Sequence, residues 1–444
     1  MSDSILKIDE LINNYEYLDL LIPDCNGVIR GKRLPVVYAK KVFSQGVLFP
    51  ASLFAADICG EPCEETHLGF EIGDADYNCP AILETLVPVP WAPKRAQVLL
   101  DMIDDDGRSF AVNPREVLKR LLAKLSAQNI LPTVAVELEF YLLSPDCATE
   151  PQAPVNPITG AVEKSSQVYY MDDLDAYGEF IDAIQKTCEE QNILAEAAIS
   201  ECSPGQFEIN LSHSDDPLKA CDDAIYLKRA IKNVARQCGY TATFMAKPYG
   251  QFSGSGTHVH TSLYNRKGEN IFAQDERHLR WAIAGLQNTM AEAMLLFSPH
   301  ANSFRRFQPN SYVALNNSWG YNNRTVALRV PVSDDQNKRV EHRIAGADAN
   351  PYLVVAAVLA GLHKGLMDEK DCTEAISGNA YKQTKATNPN HWQAALAIFE
   401  QSQWVSEYFG ETFHQVFTAL KHAEINRFNR HVSPLECEWY LQTV

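Results

Sequence analysis

The sequence predicts an α+β fold with a small strand-rich N-terminal domain, residues 1–110, and a large C-terminal domain, residues 111–444. Three observations lead to this prediction. Short strand patterns with turn signals dominate the first domain, a clear helix start follows it, and apolar strands then mix with long segments of helical spacing. With 444 residues, 46% hydrophobic and 21% charged, the chain has an ordinary globular composition and enough length for two domains.

The strands of the N-terminal domain are predicted from their turns. Residues 17–30 predict a hairpin, because two apolar runs flank the turn sequence DCNG. A second hairpin is predicted over residues 97–112, where QVLLDMI meets SFAV across DDDG. The sequence NPRE at 113–116 then offers an N-cap, a proline in the first turn and a glutamate at the third position. This helix start places the domain boundary between residues 110 and 111.

The C-terminal domain is predicted to be rich in helices. Residues 216–237, 277–297 and 351–367 carry apolar residues at helical spacing, and residues 391–444 are predicted to be mostly helical. Residues 144–165 contain four prolines and are predicted to form a loop.

Charge and cysteine usage restrict the partners and the compartment. The 39 basic and 56 acidic residues give a net charge of −17, which disfavours nucleic acid and anionic membranes as partners. The N-terminus lacks the pattern of a signal peptide, and no apolar stretch approaches the ~20 residues of a membrane span. Eleven scattered cysteines without a CxxC pair favour reduced thiols in the cytoplasm over a disulfide framework or zinc site.

Four predicted strands combine an apolar face with a polar one. In VAVELEFYLL, residues 134–143, Glu137 and Glu139 share a face and lie roughly 6–7 Å apart. Two buried carboxylates need a positive partner. The other three strands place on one face Gln206, Glu208 and Asn210; His258, His260 and Ser262; and Arg339, Glu341 and Arg343.

A single strand of this kind is more often half-exposed than functional, so the prediction depends on all four polar faces meeting. If they meet, carboxylates, imidazoles and guanidiniums line one pocket, which suits divalent cations and a phosphate-bearing substrate. The chemistry predicted from the residues is therefore metal-assisted phosphoryl transfer. Neither GxxxxGK[ST] nor GxGxxG after a strand is present, so neither a P-loop nor a Rossmann nucleotide site is indicated.

These segments, in this order, resemble the glutamine synthetase family, type I-like branch, over essentially the whole chain. The resemblance lies in VELEF, SPGQFEINL, GSGTHVHTSL, NNRTVALRVP and RVEHRIAGADANPYL. It implies a β-grasp-like N-terminal domain and a catalytic domain built on a curved antiparallel sheet, a half-barrel, with helices. It also implies cytoplasmic homododecamers of two hexameric rings, with active sites between subunits.

The family resemblance implies a ligase reaction in two steps. ATP phosphorylates the γ-carboxylate of L-glutamate, and an amine then displaces phosphate from the γ-glutamyl phosphate. Two or more Mg²⁺ or Mn²⁺ ions are expected to assist. By position in the family motifs, one ion would be held by Glu139, Glu201 and Glu208, and the second by Glu137, His258 and Glu341.

The same resemblance implies roles for the substrate-binding and catalytic residues. Those expected on glutamate are Arg306, Arg343, Gly254, Glu139 and His258. Those expected on ATP are Arg329, Arg339, His260 and Ser262. Arg324 on the transferred phosphate, Glu341 and Tyr312 are the expected catalytic residues, and for each arginine the alternative is an ordinary ion pair.

Two departures from the family pattern bear on the amine. Members that use ammonia hold it with an aspartate in a Phe-Asp-Gly-Ser-type segment and a glutamate on a flap, but here Pro50 and Tyr312 stand at those positions. Without either carboxylate the site should neither attract nor deprotonate ammonium well. The aromatic face of Tyr312 suits an alkyl chain or a larger ammonium group. The predicted acceptor is therefore a primary amine, putrescine or another polyamine.

Alternatives remain open at this point. They are ordinary glutamine synthesis from ammonia, γ-glutamylation of ethanolamine or an alkylamine, and a catalytically silent structural or regulatory member of the family. The base that frees the amine is not identified. Acidic residues that could attract a distal ammonium follow the FPAS segment, although each is more simply a surface residue: Asp57, Glu61, Glu64 and Glu65. Tyr381 lacks the sequence surrounding the family's adenylylated tyrosine, so adenylylation is not expected.

Overall fold

The structure, a computed structural model, describes residues 2–145 and 150–444. The described parts of the predicted loop 144–165 contain no helix and no strand, and its residues 146–149 lie outside the described part of the chain. None of the helices in the described part is long and apolar enough to cross a membrane. The mixture of helices with a large sheet confirms the α+β class.

The N-terminal part of the chain is built around a four-stranded sheet with the order β2-β1-β6-β5. Strands β1 and β2 pair antiparallel around residues 24–28, which confirms the first predicted hairpin. Strand β6 runs parallel to β1. The elements are α1 (Ser2–Asn14), β1 (Tyr17–Pro23), β2 (Ile29–Pro35), α2 (Ala39–Gln45), β3 (Val47–Pro50), β4 (Asp76–Cys79), β5 (Val87–Pro88) and β6 (Arg95–Leu99).

The second predicted hairpin, residues 97–112, forms only in part. Strand β6 ends at Leu99, and the two arms beyond it are joined by an isolated antiparallel bridge between Ile103 and Ser109. Backbone hydrogen bonds from Asp104 to Arg108 and from Phe110 to Met102 flank this bridge. Both edges of β6 are already paired, with β1 on one side and β5 on the other. The DDDG segment forms the predicted turn around Asp104, whose carboxylate accepts hydrogen bonds from the backbone N–H groups of Asp106 and Arg108.

The C-terminal part contains all the long helices predicted from the sequence. Asn113 caps α3 by accepting a hydrogen bond from the backbone N–H of Arg115. The elements are α3 (Pro114–Ala127), β7 (Leu131–Leu143), α4 (Met171–Ala176), α5 (Gly178–Glu190), β8 (Ala195–Ser200), β9 (Gln206–Leu211), α6 (Pro217–Gln237), β10 (Thr241–Thr243), β11 (Thr257–Tyr264), α7 (Ile271–Gln274), α8 (Glu276–Phe297), β12 (Trp319–Tyr321), β13 (Leu328–Val330), β14 (Val340–His342), α9 (Pro351–Asp368), α10 (Ala380–Gln383), α11 (Trp392–Glu400), α12 (Gln403–Phe409), α13 (Glu411–Asn429) and α14 (Pro434–Tyr440).

An eight-stranded sheet dominates this part, with the order β12-β13-β14-β11-β7-β9-β8 and β10 paired to β7. Every pair is antiparallel except β12 and β13, so the sheet is mixed and not purely antiparallel as expected. Strand β7 lies at its centre, between β11 and β9. Its apolar face packs Val134, Val136, Leu138 and Phe140 into the core.

A buried polar cluster fastens the N-terminal hairpin to the C-terminal helix α13. Lys421 Nζ donates hydrogen bonds to Asn26 Oδ1 at 2.6 Å and to Glu424 Oε2 at 2.7 Å. Asn26 Nδ2 donates to Glu424 Oε1 at 2.7 Å. Because all three side chains are buried, breaking one contact would leave a buried charge without its partner.

Candidate active site

The register of the sheet brings the polar faces of four strands together. Glu137 on β7 lies opposite His258 on β11, and Glu139 on β7 lies opposite Glu208 on β9. On the other side of β11, His260 lies opposite Glu341 of β14. Directly opposed residues have Cβ atoms about 5 Å apart, and a slip of one residue would turn the acids into the core. The alternating pattern in the sequence therefore becomes one continuous polar surface.

Two histidines and two arginines contact the acids at the centre of this surface. His258 Nδ1 and His260 Nε2 each lie 2.8 Å from an oxygen of Glu137. Arg329 Nη1 donates to Glu341 Oε2 at 2.8 Å, and Arg343 donates a short hydrogen bond to the other oxygen of Glu341.

Three groups of side chains place their ligand atoms within 4.8 Å of one another, a spacing that a metal ion could bridge. They are Glu139, Glu201 and Glu208; Glu137, Glu208 and His258; and Glu137, His260 and Glu341. The first group is identical to one set implied by the family resemblance. The other two contain the residues of the second set, divided between them, and add Glu208 and His260.

The carboxyl groups of the cluster differ in pKa because their burial and their neighbours differ. Burial, together with the charges of Glu137, Glu139 and Glu201, raises the pKa of Glu208 far above its ordinary value. Burial and the charge of Glu139 also raise the pKa of Glu201. Burial acts in the same direction on Glu137, but hydrogen bonds from His258 and His260 outweigh it and hold the pKa of Glu137 low.

The first group of acids fits a divalent cation. Within the described residues, no lysine or arginine forms an ion pair with Glu139, Glu201 or Glu208. Carboxylate oxygens are the ligands that Mg²⁺ and Mn²⁺ prefer. Burial and the negative charges of Glu139 and Glu201 raise the pKa of Glu208, and a cation at this position would offset those charges.

A cavity of about 450 Å³ opens over the acids. Most of the residues singled out in the sequence line it: Glu137, Glu139, Glu201, Glu208, Gly254, His258, Arg306, Tyr312, Arg324, Arg329, Glu341 and Arg343. His260 does not line the cavity and reaches it only through its contact with Glu137. Arg339 does not line the cavity, and its Nε donates to His260 Nδ1 at 3.3 Å. Ser262 does not line it either, and its hydroxyl donates to the carbonyl of Lys338.

Arg306 is held in a fixed position beside a glycine-rich loop. It is only 2% exposed, and its Nη1 donates to the carbonyl of Ile344 at 3.0 Å. A Cβ at Gly254 would come within 2.6 Å of Arg306 Cγ, so only glycine fits there. The buried Nε of Arg306 has no hydrogen-bond partner among the described residues, and the same holds for Arg329 and Arg343. These unused donors are suited to an anionic ligand.

Two exposed tyrosines, Tyr169 and Tyr312, line the same cavity. They are 56% and 60% exposed, and both have left-handed backbone angles, with φ of 62° and 58°. Arg324 Nη1 donates a hydrogen bond to the hydroxyl of Tyr169 at 2.9 Å. Sequence reasoning identified Tyr312 but missed Tyr169. The only signal for Tyr169 is a pair of adjacent tyrosines between the proline-rich loop and α4.

The acidic residues after the FPAS segment do not line this cavity. Asp57 is buried and accepts a hydrogen bond from Arg427 Nη1 at 3.0 Å. Tyr381, for which adenylylation is not expected, makes a structural contact. Its hydroxyl donates a hydrogen bond to the carbonyl of Val313, next to Tyr312.

The fold and the acidic sheet face define a family. The glutamine synthetase catalytic domain matches residues 111–440. The chain belongs to the glutamine synthetase family.

Within this family, the chain is similar to enzymes that join glutamate to amines. It is 44% identical to gamma-glutamylputrescine synthetase PuuA of Escherichia coli (strain K12), over 97% of this chain and 92% of that protein. It is 34% identical to a glutamate–isopropylamine ligase of Pseudomonas sp, over 99% and 98% of the two chains. The structure of a GmaS/ADP complex superimposes with a TM-score of 0.86 and 25% identity, covering 99% of this chain and 100% of the other.

Proposed function

We propose that this protein is an ATP-dependent ligase that joins the γ-carboxylate of L-glutamate to a primary amine, putrescine or another polyamine. The observation that carries the proposal is a cavity that combines a cluster of glutamates, four arginines and an exposed tyrosine. A glutamate γ-oxygen attacks the terminal phosphorus of ATP and ADP leaves. The amine nitrogen then attacks the γ-carbon, phosphate leaves, and an amide forms.

The arginines bind and orient the anionic groups of this reaction. Arg306 offers a rigid guanidinium beside Gly254, which suits the α-carboxylate of glutamate. In this assignment Arg343 binds the γ-carboxylate, Arg324 the transferred phosphate and Arg329 the phosphates of ATP. Holding both reactants in place accounts for much of the rate in phosphoryl transfer.

The acids are proposed to hold two divalent ions. Glu139, Glu201 and Glu208 form one set, and Glu137, His258 and Glu341 form the other, with His260 orienting Glu137 from behind. When bound, such ions supply positive charge that stabilises the transferring phosphoryl group. Arg339, His260 and Ser262 remain proposed as nucleotide-side residues.

The identity of the amine rests on two positions. Pro50 and Tyr312 replace the two acids that ammonia-using members need, and the exposed ring of Tyr312 faces the cavity. An aromatic ring offers packing for an alkyl chain and a cation–π contact for an ammonium group. The similarity to the putrescine and isopropylamine enzymes favours the same substrate class.

The proposal extends to domain organisation, assembly and compartment. We place the boundary between a β-grasp-like N-terminal domain and the catalytic domain at residues 110 and 111. The protein is proposed to form a homododecamer of two hexameric rings in the cytoplasm, with active sites shared between subunits. Size-exclusion chromatography with light scattering tests the assembly, because a monomeric enzyme with full activity would contradict it.

ADP release in the presence of glutamate tests the reaction. The amines to compare are putrescine, spermidine, ethanolamine, isopropylamine and ammonium. We expect the highest kcat/KM with putrescine or spermidine. A preference for ammonium would contradict the polyamine assignment, and no turnover with any amine would favour a catalytically silent family member.

A variant pair makes the same assay specific for the acidic cluster. Glu139→Gln is expected to abolish turnover because it removes a carboxylate from the first metal set. Glu196→Gln, on the exposed side of β8 and outside the cavity, is the matched control and is expected to keep full activity. Equal activity of the two variants would show that the cluster is not the reaction centre.

A further inference from the structure

A second cavity, of about 890 Å³, lies between the N-terminal hairpin and helix α6. Its walls are the turn of that hairpin, one face of α6 and the segment 241–248. It shares no lining residue with the candidate active site. Any ligand of this cavity would therefore bind at a separate site.

One wall of the cavity carries a row of positive charges. Lys228, Lys232 and Arg236 follow one another at intervals of four residues along α6, so they lie on one face of the helix. The Nζ atoms of Lys228 and Lys232 lie 5.1 and 5.7 Å from the centre of the Phe244 ring. Arg229 also lines the cavity, but it is paired with Asp19.

These charges are not paired directly with an acid among the described residues. In the described ranges, no carboxylate forms an ion pair with Lys228, Lys232 or Arg236. Lys228 is held by backbone carbonyls, since its Nζ donates to Ala347 at 2.8 Å and to Ala349 at 3.4 Å. Lysines four residues apart on a helix repel one another. Burial and the charge of Lys232 accordingly lower the pKa of Lys228 to about 7.

The other titratable groups of the cavity balance only part of this charge. Asp348 is buried, which raises its pKa, and it accepts a hydrogen bond from Ser303. Its charge acts on both Arg306 and Lys228, so it does not serve Lys228 alone. Burial and the charges of Lys421 and Lys228 lower the pKa of His300 far below its usual range, so it adds no charge of its own. Glu150 is exposed. A positive wall thus persists in a chain whose net charge is −17.

We propose that this cavity binds a small polyvalent anion, a phosphate-bearing or polycarboxylate metabolite, between Lys228, Lys232 and Arg236 above the Phe244 ring. Such a ligand would relieve the repulsion along α6 and supply the missing counter-charge. The concave shape suits a small molecule, and the acidity of the rest of the chain opposes a nucleic acid.

Lysine acylation of the full chain, mapped by mass spectrometry, tests the proposal without reference to ligase activity. Inorganic pyrophosphate and citrate serve as separate probes, in the absence of divalent metal. Labelling of Lys228 and Lys232 should slow by about tenfold when the probe is at about ten times its dissociation constant, because about one site in eleven is then empty. Lys186, exposed on α5, is the control and should label at an unchanged rate.

The two probes and two variants give separate outcomes. Protection by pyrophosphate alone assigns a phosphate ligand, and protection by citrate alone assigns a polycarboxylate. Lys232→Met should abolish protection of Lys228, whereas Glu208→Gln in the active site should leave it intact. Protection by neither probe overturns the proposal. So does protection that grows with protein concentration without a probe, because a second copy of the chain would then cover the cavity.

Discussion

The protonation of Glu208 gives the sharpest prediction about the acidic cluster. Glu208 is only 6% exposed and lies opposite Glu139 in the sheet. Burial, reinforced by the charges of Glu137, Glu139 and Glu201, raises the pKa of Glu208 far above its ordinary value. The metal-free protein therefore keeps a proton on Glu208 at neutral pH, whereas the unfolded chain has lost it.

The sign of the pH dependence follows from this difference. Between the ordinary pKa of a glutamate and the raised pKa of Glu208, the folded state binds one more proton than the unfolded state. The free energy of unfolding then falls by about 1.4 kcal/mol per pH unit from this group. Glu208→Gln keeps a neutral side chain of similar shape at every pH, so the variant should lose this slope.

The affinity for a divalent ion should instead rise with pH. The ion must displace the proton from Glu208, so its affinity for the wild type should rise by up to about tenfold per pH unit near neutrality. The Glu208→Gln variant lacks both the proton and the ligand. It should bind the ion more weakly and with a flatter dependence on pH.

Chemical unfolding between pH about 6 and about 8 measures both effects. Wild type, Glu208→Gln and the exposed control Glu196→Gln are compared with a chelator and then with Mn²⁺. The difference between wild type and Glu208→Gln isolates Glu208, because other groups titrate equally in both. The reasoning would be refuted if the free energy of unfolding of wild type and Glu208→Gln changed equally with pH in the chelator. Equal stabilisation of these two proteins by Mn²⁺ would refute it as well.

Three further variants test the residues around the cluster. Arg306→Lys removes a guanidinium that can donate two hydrogen bonds at once. Losing a charged hydrogen bond costs about 1.5–3 kcal/mol, so KM for glutamate should rise by roughly 10- to 150-fold. An unchanged KM would exclude Arg306 from glutamate binding. Tyr312→Glu should increase kcat/KM for ammonium relative to putrescine, since it restores an acid at the flap, and a constant ratio would remove Tyr312 from the amine site. Tyr169→Phe deletes the hydroxyl that accepts a hydrogen bond from Arg324. Loss of this hydrogen bond costs about 1 kcal/mol, so kcat should fall about fivefold while KM for glutamate stays unchanged. Full kcat would show that this contact does not position Arg324.

The period-two pattern of strands was enough to predict the polar faces of the site. It placed Glu137 and Glu139 on one side of β7, and both line the cavity. It could not predict that His260 contacts Glu137, because the register between β7 and β11 is set by tertiary packing. The same limit applies to the parallel pairing of β12 and β13, which are joined by a loop rather than by a helix.

Loops and strand edges account for the remaining differences. Tyr169 belongs to a segment without periodicity. Its backbone is left-handed, but the residue is not a glycine, so the sequence does not indicate this conformation. The hairpin predicted at 97–112 satisfied the local pattern, but β1 and β5 occupy both edges of β6. Which strands pair along an edge depends on tertiary structure, so the local sequence does not predict it.

Anomalous diffraction from crystals grown with Mn²⁺ and a nucleotide tests the central claim most directly. We expect two neighbouring manganese peaks, one bonded to Glu139, Glu201 and Glu208 and the other to Glu137, His258 and Glu341. A single manganese peak elsewhere would contradict the account. So would the absence of any peak in crystals in which Glu341 keeps its ion pairs with Arg329 and Arg343.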